Sequence, residues 1–128
     1  PLPNTPSHDV LLMVAFGDHQ VANVTAETEA RTIGAALRCP ALAPGRTAQA
    51  QPFWGLECIA TYPHQGSAIV FWDSNKTPES PLSNTPATEG SDPHGFPRSQ
   101  VSNRAMKGLF LAGRGVQDTC RGVPCTGP

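Results

Sequence analysis

The apolar positions fall into two unbroken runs and two spaced stripes, separated by stretches rich in proline, serine, threonine and glycine. The first run is Val10-Leu-Leu-Met-Val-Ala-Phe16. A short run without polar alternation fits a strand buried on both faces, which predicts a strand over 9–16. Gly17-Asp18-His19-Gln20 breaks it as a loop. Ala26, Ala30, Ile33 and Leu37 then recur at helical spacing, which predicts a helix over 24–38 with one apolar stripe. Asn23 or Thr25 is placed to cap its start, and Glu27 pairs with Arg31 one turn on. Arg38 lies at the negative end of the dipole, and Pro40 ends the helix.

Residues 40–66 lack periodicity and carry Pro40, Pro44, Pro52 and Pro63. They read as a long insertion, anchored by Phe53, Trp54, Leu56, Ile59 and Tyr62, with room for a short strand. Ser67-Ala-Ile-Val-Phe-Trp72 is the second buried-strand candidate. Residues 74–93 form a second long loop, and about 74–95 is the expected active-site loop. A second helix is predicted over 97–112, with Pro97 at its first position, a stripe of Val101, Ala105, Leu109 and Ala112, and Gly113 as its stop. The tail from 114 is irregular.

Strand, helix, strand, helix in this order predicts an α/β fold with a parallel sheet. Residues 1–128 read as one segment of a single domain. Two strands cannot cover their own edges, so the sheet is expected to be completed by a partner chain.

Composition narrows the function classes. Lys and Arg number 9 against 10 Asp and Glu, so no basic excess speaks for a nucleic-acid partner. The longest apolar run is far below the roughly 20 residues of a membrane span, and no membrane span is expected. The opening stretch 1–8 is polar and Pro-rich, with no signal-peptide pattern. Proline is frequent, at 14 residues. Four cysteines in a Pro-rich, Lys-poor chain suit an oxidising, secreted or periplasmic setting, with free thiols as the competing reading. Four cysteines allow three pairings, which sequence alone leaves open. A Cys120–Cys125 bond would close a small loop, and Cys39–Cys58 would then staple the insertion. No C-x-x-C motif occurs, so a zinc ribbon or redox site is not expected, and no cofactor is.

Asp18 follows the first strand at its carboxyl end, the edge where open parallel sheets place their active sites. His94 lies in the loop that follows the second strand. Loops leaving the same end of adjacent parallel strands can meet, and an acid beside an imidazole orients a general base.

The stretch Val10-Leu-Leu-Met-Val-Ala-Phe-Gly-Asp-His-Gln-Val21, followed by Thr25-Ala-Glu-Thr-Glu-Ala-Arg-Thr-Ile-Gly-Ala35, resembles the late strand–acid–helix unit of α/β-hydrolases. Ser67–Trp72, His94 and Val101–Ala112 follow in the order of that family's last strand, catalytic histidine and closing helix. The resemblance covers about 9–38 and 67–112. It implies that Asp18 and His94 are the acid and histidine of a Ser-His-Asp triad acting on ester or amide bonds. The G-x-S-x-G nucleophile elbow and the Gly-rich oxyanion turn are absent from this sequence. The chain therefore resembles the C-terminal part of such an enzyme, whose serine comes from a larger or N-terminal partner chain. The separation of Asp18 from His94 exceeds a minimal family member's, which the insertion at 40–66 and the loop at 74–93 account for.

Other readings remain open. Asp18, His19, Asp92 and His94 form a candidate metal set of mixed nitrogen and oxygen donors. A non-catalytic, disulfide-stapled secreted binding module would also explain the composition. His64 precedes the second strand, at the opposite end of the sheet from Asp18, and His8 reads as surface. Asp73 reads as a loop cap; Asp73-Ser-Asn75 lacks the other ligands of a calcium loop. Trp54 and Trp72 are candidates for an acyl pocket, with core packing as the default.

Overall fold

The computed structural model describes residues 3–83, 85, 86, 88 and 92–127. Parts of the predicted loop, at 84, 87 and 89–91, lie outside the described residues, as do 1, 2 and 128. At the centre is β3 (Ala68–Asp73), whose six residues are all buried. Its β-branched and aromatic composition suits a strand enclosed on both faces. β1 (Leu11–Ala15) pairs with it in parallel along one edge, from Leu11 opposite Ala68 to Ala15 opposite Trp72. The other edge is shared by two short parallel strands. β2 (Ala36–Leu37) pairs with Ala68 and Ile69, and β4 (Cys125–Thr126) with Trp72 and Asp73.

Alternate side chains of β3 enter two cores. Ile69 and Phe71 pack with Val14, Leu37 and the α1 (Asn23–Ile33) residues Ala26 and Ala30. Ala68, Val70 and Trp72 pack with Ile59, Val116, Cys125 and Met106 of α3 (Val101–Leu111). Helices thus cover both faces of a small parallel sheet, the α/β arrangement expected.

Three sequence expectations change. The first helix stops at Ile33 instead of running to 38: Gly34 takes a left-handed φ of 67°, and the amide of Ala35 donates to the carbonyl of Ala30. Leu37 is buried from β2, not from a helical stripe, and Ile33 is exposed. The second helix is broken. Residues Pro93–Gly95 make one 3-10 turn, α2 spans Phe96–Ser99, and Gln100 is extended before α3 begins. The predicted stripe is also not the buried one. Val101 is 74% exposed, whereas Asn103 and Met106 face the sheet. Finally, two-residue β2 and β4 raise the expected two strands to four among the described residues.

The long insertion is pinned to this frame. Cys39 is bonded to Cys58, and Cys120 to Cys125. The amide of Ile59 donates to the carbonyl of Leu37, and the Phe53 ring meets that of Phe71 at a tilt of 47°, with centroids 4.9 Å apart. Arg38, read as a helix-end charge, is instead fully buried. It donates to Asp118 Oδ1 and, at 2.8 Å, to the carbonyl of Pro40. Asp118 also accepts from the amides of Cys120 and Gly122, so one carboxylate ties the end of β2 to the C-terminal disulfide loop. Burial pushes the Asp118 carboxyl up, but the Arg38 guanidinium and the two amides outweigh it and hold it below the usual value. No helix among the described residues is long and apolar enough to cross a membrane.

Candidate active site

Asp18 stands two residues beyond the buried Phe16 because the chain turns sharply at Gly17. Gly17 has a φ of 83°, and a Cβ there would lie 2.5 Å from the carbonyl oxygen of Pro78. Only glycine lets the loop after β1 pass this close to the loop after β3. Asn23 fixes the same turn. Its Oδ1 accepts from the amide of Gly17 at 2.9 Å, its Nδ2 donates to the carbonyl of Ala15 at 2.7 Å, and Ser80 donates to it at 3.2 Å. Asn23 thus braces the turn; α1 begins without a side-chain cap.

Arg46 ties the two loops from outside. It donates to both carboxylate oxygens of Asp73 and to the carbonyl of Thr77, with its guanidinium 5.2 Å from the Phe16 ring centroid. Its hydrogen bonds to Asp73 raise its already high pKa further. Asp73 is accordingly more than a loop cap, although it also accepts from the amide of Asn75.

The Asp18 carboxylate is divided between two tasks. Oδ1 accepts from the amides of Gln20 and Val21, at 2.9 and 3.0 Å. Oδ2 accepts from Nδ1 of His94 at 2.8 Å. His94 is placed by the 3-10 turn, whose first free amide is met by Asp92: its Oδ1 accepts from the amide of His94 at 3.0 Å. The Asp18 side chain is 6% exposed and that of His94 29%, so the acid is enclosed and the imidazole can be reached.

Nε2 of His94 faces Arg98 Nη2 at 3.2 Å. A guanidinium has no acceptor, so Nε2 must offer its lone pair and the ring proton must sit on Nδ1. Assigned from its partners in this way, the ring holds the tautomer a general base needs. Beside the pair a cavity of about 270 Å³ runs along β1, bounded by Met13, Val14 and Ala15 and by Ala26, Pro97, Asn103 and Lys107.

The other predicted residues go elsewhere. His19 turns its Nδ1 to the carbonyl of Thr85, at 2.9 Å. With Asp92 engaged as a turn cap, the proposed metal set does not converge. No group of three or more His, Cys, Asp or Glu suited to a metal ion occurs among the described residues. His64 contacts the carbonyl of Ser67 at the far end of β3, and His8 is exposed. Neither tryptophan lines the cavity by the pair: Trp72 is core, donating to Ser102, and Trp54 is 70% exposed. Sequence reasoning passed over Arg98 and Asn103, and read Asn23 as a helix cap where it braces the turn. Arg98 had a signal, since it lies one helical turn after His94.

Glu27 on α1 is buried, 3.9 Å from Arg31. Burial raises its pKa above the ordinary carboxylate value, Arg31 offsets part of this and Glu79 adds to it.

Set against known proteins, the chain matches no family model, no curated protein and no solved structure. The fold and the pair carry the functional reading by themselves.

Proposed function

We propose that this chain supplies the acid and histidine of a serine hydrolase acting on ester or amide bonds, with the serine on another chain. The observation that carries the reading is the Asp18–His94 hydrogen bond at the carboxyl end of a parallel sheet, with Nε2 turned away from the acid. Among the described residues no hydroxyl is bonded to Nε2 and no cysteine is free. On this reading the group to be supplied at Nε2 is a nucleophile.

In the proposed reaction the partner's serine hydroxyl replaces Arg98 at Nε2. His94 takes its proton as the oxygen attacks the carbonyl, and later gives that proton to the leaving group. Asp18 keeps the ring oriented and stabilises the imidazolium. The two disulfides suit a secreted or periplasmic protein.

The test uses the native preparation and a fluorophosphonate that marks activated serines. The expected result is one labelled serine on a co-purifying polypeptide, lost in His94→Ala, and no ester turnover by the 128-residue chain alone. A labelled serine within this chain, or turnover without a partner, would overturn the division of labour. The disulfides equally favour a stapled binding module; a preparation with no labelled companion and a cooperative monomeric melt would select it.

A further inference from the structure

We infer that the free edge of β1 is a docking slot for an extended strand of the partner polypeptide, carrying acidic side chains. The inference rests on the hydrolase reading for the partner's nucleophile, though the slot itself is argued from geometry. Val10 accepts from the amide of Ala68, and the amide of Phe16 donates to Trp72. In a parallel pair, successive residues turn their backbone groups to alternate sides. Leu12 and Val14 therefore belong with the set bonded to β3, and Leu11 and Met13 turn their N–H and C=O to the opposite edge. Among the described residues, β1 pairs only with β3.

Three features make this edge more than an accident of a small sheet. It carries none of the charges, prolines or bulges that natural proteins use to blunt an open edge; Leu11-Leu-Met-Val-Ala15 is apolar throughout. The adjoining cavity touches residues of both faces, Ala26 of α1 and Asn103 of α3, as a slot for one more strand would. Asn103 is 3% exposed and lines that slot, yet its Nδ2 has no partner among the described residues. A buried amide without an acceptor is costly, and a strand seated in the slot would change the surroundings of this side chain.

Charge selects the occupant. Arg98 and Lys107 bound the slot, and the carboxylate that also lines it, Asp18, is already engaged by His94 and two amides. A second copy of this chain paired edge to edge would bring the same cations against them, whereas a strand with acidic side chains would complement them. Main-chain hydrogen bonds would give the affinity and the flanking charges the selectivity.

The experiment measures amide exchange in the isotopically labelled 128-residue chain with a short capped peptide alternating valine and glutamate, and with its valine–lysine counterpart. The glutamate peptide is expected to slow exchange at Leu11 and Met13 by about tenfold and to shift the Asn103 side-chain amide resonance, the lysine peptide to do neither. Met13→Pro removes the outward N–H, a change an edge strand tolerates, together with some partly buried side-chain packing, and should keep the spectrum dispersed while abolishing the protection. No protection by either peptide, or equal protection by both, overturns the proposal. Protection that grows with chain concentration without peptide would assign the edge to a second copy instead. Edge protection alongside failed serine labelling would remove the hydrolase and leave the slot.

Discussion

His94 Nδ1 lies 2.8 Å from Asp18 Oδ2, although 76 residues separate them in sequence. The contact is built from the Asp18 side by two amides on Oδ1 and from the His94 side by the Asp92 cap. Both members are oriented before any partner arrives. Asp18→Asn preserves the shape but offers an N–H where Nδ1 needs an acceptor. Hydrolysis by the assembled enzyme should fall by about 10⁴-fold, the loss typical of this change in a triad. Nitrogen shifts of the imidazole in the isolated chain should show the proton leaving Nδ1. An imidazole that keeps its tautomer in the variant would mean that Asp18 does not set it.

Arg98 occupies the position that a hydroxyl must take. Its bond to Nε2 is exposed, and such contacts are worth at most about 1 kcal/mol. Arg98→Ala should therefore leave the fold intact and speed modification of His94 by diethyl pyrocarbonate by no more than about fivefold. An unchanged rate would show that the guanidinium does not shield the nitrogen.

Asp18 was legible in the sequence because its cause is local: an apolar run ends at a glycine turn, and the next chemical group is Asp18; its meeting with His94 followed from two loops leaving the same end of adjacent parallel strands. The fold class was legible for the same reason, since β1 and β3 are continuous apolar runs. The helix limits were not. Leu37 keeps helical spacing from Ile33, but Gly34 adopts a left-handed cap and releases Leu37 into β2. In α3 the apolar stripe was the wrong face, because the interior face carries the polar Asn103 beside Met106. Long-range pairs such as Arg46–Asp73 leave no periodic trace at all. The slot along β1 was signalled only as a shortage of strands.

Glu27 makes the stability of α1 depend on pH. Its pKa is raised chiefly by burial, so the folded state holds its proton more tightly than the unfolded chain does. The charge then opposes folding. This cost is absent below the ordinary value of 4.5, grows as pH rises toward the raised folded value, and is complete above it. Glu27→Gln should melt higher than the unaltered chain at neutral pH, and the two should converge in acid. The lost pair with Arg31 works the other way but is worth only about 0.3–0.5 kcal/mol. A variant that melts lower at neutral pH would show that the pair outweighs burial.

Arg38 and Asp118 provide the sharpest stability test, because one member is fully buried and the other is not. Removing the carboxylate leaves a guanidinium enclosed without its counter-charge. Asp118→Asn should therefore cost about 3–5 kcal/mol, read from the urea midpoint with both disulfides intact. Adding Arg38→Met removes the stranded charge and should recover much of that loss, since an apolar side chain of similar volume fills the same space. Acid should act on the unaltered chain in the same sense. The Asp118 pKa is lowered on folding, so its contribution is fully present above 3.8 and is lost as pH falls through the lower folded value. The Asp118→Asn chain has no such group and should lack that part of the acid transition. Equal midpoints for the single and double variants would show that the loss comes from the two amides Asp118 accepts, at Cys120 and Gly122, and not from the buried charge.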